Sequence, residues 1–219
     1  MRRLGRIRPW TVKNPLSMTS AVRRESFGRK QVQFQRALFF NGTAPSTDGT
    51  RRRLEQIAVE DPIVLAQMNY ARLPFPLNDP KMKEFRLALE PVNLIAKSTP
   101  GFVWSYDNDD EAEHLSVDLL REDPLLMPQL SLWLDMAALR HFVFKSGHAM
   151  YFKRKKEWFT SPPSPYSVCW WHDLRASDYQ PPSLKESFHR CAHLQEHGPT
   201  EYAFDFASAE QFPVPVHDQ

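Results

Sequence analysis

His148 is the residue whose type and setting best suit it to move a proton. Phe144 stands four residues before it and Phe152 four after, so on a helix the three share one face. An imidazole of ordinary pKa ~6.5 accepts a proton near neutrality. His148 could thus deprotonate a phenolic or enolic substrate; otherwise it is a helix histidine bonded to a carbonyl or a carboxylate. Gln67 and Asn69 lie two apart and face the same way on a strand. Their amide donors could hold a substrate oxygen as charge develops on it, or pair with each other or with a facing subunit. Trp104, Trp133, Trp170 and Trp171 could line a flat aromatic pocket, or form core and dimer seam. Phe144 and Trp158 are further candidates to line it. Arg154, within the basic run Lys153 to Lys156, could reach a substrate acid or a partner carboxylate. The run would also complement a helix dipole.

Other constellations fail on their spelling. His189, His193 and His197 recur every four residues, and two such histidines can share a metal. No Glu follows His189, however, so the zinc-protease pattern is missing, and a solvated helix face explains them. The acidic run Asp107 to Glu113 is no calcium loop, because its sixth position is Ala112 and its twelfth Asp118. The chain has seven glycines and none in a phosphate-cradling arrangement. No metal and no cofactor is expected. Cys169 and Cys191 stand singly, as reduced thiols of an intracellular protein would.

The elements that must position these residues follow from periodicity. Ile63 to Leu73 alternates as a strand, with Val64, Ala66 and Met68 opposite Leu65, Gln67 and Asn69. Asp79-Pro80 opens a helix whose stripe is Met82, Phe85, Leu89, Val92 and Ile95, with a kink expected at Pro91. Pro100-Gly101 ends it. Phe102 to Tyr106 is a second strand, with Phe102, Trp104 and Tyr106 on one face. Pro128 to Leu134 is a third, with Ser131 and Trp133 sharing a face. Asp135 caps the longest helix, 136 to 152 and as far as 158. After the loop prolines Pro162, Pro163 and Pro165, Tyr166 to Trp171 is a fourth strand. A last helix over 183–196 turns Leu184, Phe188, Cys191 and Leu194 inward.

The order β-α-β-β-α-β plus an extra C-terminal helix predicts an α+β, ferredoxin-like fold with a four-stranded antiparallel sheet. Two helices cover one sheet face. The other face would stay bare and apolar, so a homodimer closing over it, a dimeric α/β barrel, is the expected solution.

The chain has 219 residues, 42% hydrophobic, 25% charged and 12% aromatic, with six Trp and a formal net charge of +2. That balance is ordinary for a globular protein. No apolar run approaches the ~18 residues of a membrane span, and neither membrane nor nucleic acid is expected as a partner. Charge is unevenly spread. Residues 1–60 hold thirteen Lys or Arg and four Asp or Glu, a net +9; the rest hold fifteen and twenty-two, a net −7. Arg2, Arg3, Arg6, Arg8, Arg23 and Arg24 precede the first acid, Glu25. An unstructured extension, a transit peptide and a nucleic-acid arm all share this composition. Asn41 to Asp48 reads as a linker. The expected division is a largely unstructured basic extension over 1–61, the domain over 62–206 and a loose tail over 207–219. The expected compartment is cytoplasmic, or mitochondrial or plastid if 1–24 is a transit peptide.

Several short segments together carry a resemblance. They are Leu65 to Asn69, Pro100 to Trp104, Leu130 to Trp133 and Phe142 to His148. Arg154 with Glu157 to Phe159, Trp170-Trp171 and His197 to Thr200 complete the set. From about 63 to 206 the chain resembles the family called domain of unknown function 3291, in the dimeric α/β-barrel superfamily. The resemblance implies the barrel and the dimer. It implies little about chemistry, since relatives in that superfamily include cofactor-free antibiotic-biosynthesis monooxygenases and haem-degrading enzymes.

The functional expectation is a cofactor-free enzyme of oxygenase, cyclase or isomerase type, acting on an apolar, aromatic or polyketide-like metabolite. His148 and Asn69 would be catalytic. Gln67, Trp104, Trp133, Phe144, Arg154, Trp158 and Trp170 would bind substrate. The alternatives are a non-catalytic binding or structural homodimer, and a haem protein with His148 as axial ligand.

Overall fold

A helix precedes the first strand. α1 (Thr47–Glu60) sets Leu54 and Ala58 one turn apart on one face, and both are buried. Charges tie it to the body. Arg51 forms ion pairs with Glu55 and Asp178, and Arg175 donates to the carbonyl of Ala58 at 2.9 Å. The domain therefore starts earlier than expected. The basic composition of 1–60 and the linker-like 41–48 conceal two apolar anchors.

The computed structural model describes residues 47–106, 113–114, 116–160 and 166–215. The extension before residue 47, most of the run Asp107 to Glu113, and Pro162, Pro163 and Pro165 lie outside the described residues.

β1 (Ile63–Arg72) is followed by a short 3-10 turn, Pro80–Met82. There the Asp79 side chain accepts from the Lys81 amide. α2 (Lys83–Ser98) continues through Pro91. β2 (Phe102–Ser105), α3 (Asp118–Glu122) and β3 (Leu126–Trp133) come next. Asp135 caps α4 (Met136–Lys145) by accepting from Ala138 N. α5 (His148–Lys153), α6 (Lys155–Trp158), β4 (Ser167–Asp173) and α7 (Leu184–His197), capped by Ser183, complete the main elements.

The four strands form one open antiparallel sheet in the order β2-β3-β1-β4. Register sets Leu65 between Trp133 and Trp171, and Gln67 between Ser131 and Cys169. Val64, Ala66, Met68, Leu130, Leu132, Val168 and Trp170 make one face. They pack with Leu54 and Ala58 of α1 and with Leu184, Cys191 and Leu194 of α7. On the opposite face Leu65, Trp133 and Cys169 pack with Leu139 and Phe142 of α4 and with Phe204. A third cluster at the far end joins Phe85 and Ala88 of α2 to Leu73, Met127 and Trp158. Both faces are thus covered from within the chain. The bare apolar face that argued for a second copy is occupied by α1 and α7.

Three local expectations need correction. The long helix after Asp135 is broken. Ser146 is extended, with ψ −179°; its hydroxyl donates to the Phe142 carbonyl at 2.6 Å and accepts the His148 amide at 3.1 Å. These side-chain bonds replace helical ones. α2 also crosses so closely that a Cβ on Gly147 would stand 2.9 Å from Ile95 Cδ1. The second correction lies in β2, where a register shift between Phe102 and Trp104 puts them on opposite faces. Phe102 joins the Trp133 side and Trp104 the Trp170 side. Third, the segment after 206 is anchored at least as far as Phe212. Phe204 bridges to Cys169 through both backbone bonds, 2.7 and 2.9 Å, and shields the outer edge of β4. Its ring stacks on Phe212 at 5.4 Å, and Trp171 Nε1 donates to the Phe212 carbonyl at 2.9 Å.

No helix among the described residues is long and apolar enough to cross a membrane.

Candidate functional site

The sheet face under α4 carries a polar strip between two apolar clusters. The alternation of β1 turns Gln67 and Asn69 onto it. Gln67 Nε2 donates to Asn69 Oδ1 at 3.0 Å and to Ser167 Oγ at 3.3 Å. Ser131 Oγ lies 3.5 Å from Gln67 Oε1 and accepts the indole N–H of Trp133 at 2.9 Å. Gln129, paired with Asn69 across β1 and β3, is exposed, while Met127 on the same face is buried. Gln67 is buried, and its amide is satisfied by its neighbours, as a buried polar group requires. The Asn69 side-chain NH₂ has no hydrogen-bond partner among the described residues.

An aromatic run leads from this strip to the surface. Trp133 stacks on Phe142 at 5.0 Å between centroids, and Phe142 lies 4.4 Å from the His148 ring. His148 is 6.1 Å from Phe152. Phe152 meets Phe144 edge-on at 6.0 Å, and Phe144 meets Phe206 at 5.9 Å. The run begins at a fully buried indole and ends at rings open to solvent: Phe144 is 53% exposed and Phe152 37%. Large exposed rings in mutual contact are unusual on a surface unless something binds them.

His148 is set up by the break before it. As the first residue of α5 it has no helical turn beneath it, and its ring turns back towards α4. Nδ1 lies 3.3 Å from the Val143 carbonyl. A carbonyl only accepts, so Nδ1 carries the proton and Nε2 of the neutral ring is the free base. Burial pushes the His148 pKa below its ordinary value, and the Val143 carbonyl partly opposes that shift. The ring is therefore neutral at pH 7 and able to accept a proton.

The predicted site residues divide between the two sides of the sheet. Gln67, Asn69, Trp133, His148 and Phe144 belong to the strip and the run. Trp104 and Trp170 do not: they pack on the other face, Trp170 fully buried beneath the Arg190 guanidinium at 5.0 Å. Trp158 is buried in the far cluster against Phe85 at 5.7 Å. Arg154 is occupied by Glu84 and Glu157, both at 2.7 Å, and its guanidinium covers Trp158 at 4.8 Å. It is a surface clasp between α2 and α6. Ser131, Ser167, Phe142, Phe206 and Arg140 were not singled out from the sequence. The alternation of β3 gave Ser131 the face of Trp133, but pairing it with Gln67 needed the strand register.

Burial pushes the Cys191 thiol up to about 11 and raises Cys169 further, so neither is a ready nucleophile. Among the described residues no three His, Cys, Asp or Glu side chains cluster as metal ligands would.

Residues 64–218 match the model of a protein family described as Domain of unknown function (DUF3291). No curated protein and no solved structure matches the chain.

Proposed function

The chain belongs to the DUF3291 family, and from that starting point, which carries no assigned reaction, we propose that it binds a small apolar or aromatic metabolite on the run from Trp133 to Phe144. His148 is the general base of the reaction performed there. The observation that carries this reading is the setting of His148: its Nδ1 lies 3.3 Å from the Val143 carbonyl, an acceptor that leaves Nε2 as the free base, within a file of aromatic rings. Face-on aromatic contacts hold a flat ligand. The Asn69 NH₂ offers a donor to an oxygen that gains charge when the proton leaves. A phenol or an enolisable ketone answers that description, and no bound cofactor is required for the proton step. Cyclisation and isomerisation can each follow from the resulting anion, and oxygenation can follow where dioxygen reacts with it as the oxidant.

The strand order β2-β3-β1-β4 with antiparallel neighbours supports the ferredoxin-like reading and, with it, kinship to the α/β-barrel superfamily. We do not carry the homodimer into the proposal, because the face it would close is occupied by α1 and α7.

The test is a thermal-shift and native mass-spectrometry screen of the full chain against phenolic and enolisable aromatic compounds. Binders should stabilise the protein, and replacing both Phe144 and Phe152 by Asp should abolish that effect. For a converted compound, His148→Ala should lower turnover by roughly 10²–10⁴-fold while binding persists. An empty screen, or binding indifferent to the two phenylalanines, would overturn the reading. A Soret band in the purified protein would reassign His148 Nε2 to haem ligation.

A further inference from the structure

We infer that Arg140 receives the carboxylate of the ligand, so that the molecule bound on the aromatic run is an apolar acid. This rests on the small-molecule reading above and narrows its substrate class.

Arg140 lies on α4, one turn before Phe144. Its Nη2 donates to the Phe206 carbonyl at 3.1 Å, which pins the guanidinium beside the exposed end of the run. Its Nε is buried without a hydrogen-bond partner. No Asp or Glu oxygen among the described residues lies within ion-pair distance of it. Arg51, Arg72, Arg121, Arg154 and Arg190 each hold a carboxylate, whereas Arg53, Arg86 and Arg175 donate, like Arg140, to backbone carbonyls; among these four, Arg140 is the one beside the aromatic run.

No neighbouring group among the described residues takes the guanidinium in a direct ion pair. Asp205 is near enough to bear on Cys169, as Arg140 is. Its Oδ1, however, is held by the amides of Ala207 and Ser208 and by the Ser208 hydroxyl, and it makes no direct ion pair with the guanidinium. The Cys169 thiol stays neutral because burial raises its pKa. A carbonyl accepts one N–H but does not balance a full positive charge, and a partly buried guanidinium is stabilised by a planar anion that takes two of its N–H groups side by side. Sulfate or phosphate would bring more charge than this apolar setting favours; a carboxylate attached to an apolar body fits both the cation and the rings. With that carboxylate at Arg140 and its body across Phe144 and Phe152, the ligand's far end reaches towards His148, because Phe206, Phe144, Phe152 and His148 follow one another in contact.

Benzoate and benzamide test this on the full chain. They share size and ring and differ in charge. Titration calorimetry at pH 7 should show benzoate binding about tenfold or more tightly than benzamide to the wild type. Arg140→Gln should erase that preference, and Arg140→Lys should restore it in part, since lysine keeps the charge but not the fork. Equal affinity of the two probes in the wild type overturns the assignment of Arg140 while leaving the small-molecule reading intact. A preference for benzoate that survives Arg140→Gln also overturns it. Should Arg140→Gln fail to fold by circular dichroism, the wild-type ratio and the Arg140→Lys variant decide. The small-molecule reading itself falls if the ligand screen is empty or if binding is indifferent to Phe144 and Phe152.

Discussion

Ala138 sits so close over Gly101 that a Cβ on Gly101 would stand 2.5 Å from the Ala138 Cβ. Gly101 also has φ +84°, a conformation costly for any residue with a side chain. This contact sets where α4 lies on the sheet. The Gly101 carbonyl accepts the Leu134 amide at 2.8 Å, just before the Asp135 cap. Gly101→Ala meets both penalties together and should destabilise the fold by about 2–4 kcal/mol. Chemical denaturation of the two proteins measures it. A loss below about 1 kcal/mol would mean that α4 can shift without cost and that the site on it is not rigidly held.

Leu54 tests whether α1 is part of the domain. It is fully buried, while Val59, five residues on in the same helix, is 75% exposed. Leu54→Ala should cost about 2–5 kcal/mol, as a large-to-small change in a core does. Val59→Ala should stay within about 0.5 kcal/mol. Equal small effects would show that α1 does not pack on the sheet in solution, and would reopen that face.

How far the sequence disclosed this arrangement depended on whether a residue's partner was near in the chain. Alternation in β1 placed Gln67 beside Asn69, and helical spacing placed Leu184, Cys191 and Leu194 inward, because both are local periodicities. The caps at Asp79 and Asp135 were equally local. The bulge between Phe102 and Trp104 was invisible, since it depends on how β2 meets β3. The break before His148 had a signal in Ser146-Gly147, which the surrounding apolar spacing overrode. Arg154 looked like the available cation, but its partner Glu84 lies seventy residues away. Nothing along the chain marks Arg140 as an arginine whose buried Nε has no partner among the described residues. Leu54 and Ala58 had helical spacing, yet the surrounding arginines argued for a solvated segment.

Two buried histidines, His114 and His172, and the half-buried His148 make stability depend on pH. Burial lowers the pKa of His148, His172 and His114. Unfolded, each would titrate near ~6.5. Between that value and the depressed folded values the unfolded chain binds more protons, so stability rises with pH across this interval and levels off above it. The melting temperature should be nearly constant from about pH 7 to 8 and should fall as pH drops below ~6.5. His148→Gln should make that fall shallower. Glu157 and Asp178, held down by Arg154 and Arg51, act only in a lower window, as pH falls through and below the ordinary carboxylate range. A melting temperature flat from about pH 5 to 7 would contradict the burial assigned to these rings.

The covered sheet also fixes what should be seen in solution. A ferredoxin-like sheet with one bare apolar face closes on a second copy because that face cannot meet water. Here Val64, Ala66, Met68, Val168 and Trp170 are each fully buried within one chain. Of the two helices over them, α1 is held by Arg51 to Asp178 and by Arg175 to the Ala58 carbonyl, and α7 packs through Leu184, Cys191 and Leu194. A second chain would have to displace α1 and α7 and expose Leu54, Leu184 and Leu194 in exchange, with no net gain of buried apolar area. Sedimentation equilibrium at micromolar concentration should therefore give a single species of 25.6 kDa. A dimer that persists in Phe144→Asp/Phe152→Asp but dissociates in Trp170→Ala would show the sheet face to be the seam after all. A dimer lost in the phenylalanine variant would instead place a second copy on the exposed rings, in competition with the ligand proposed for them.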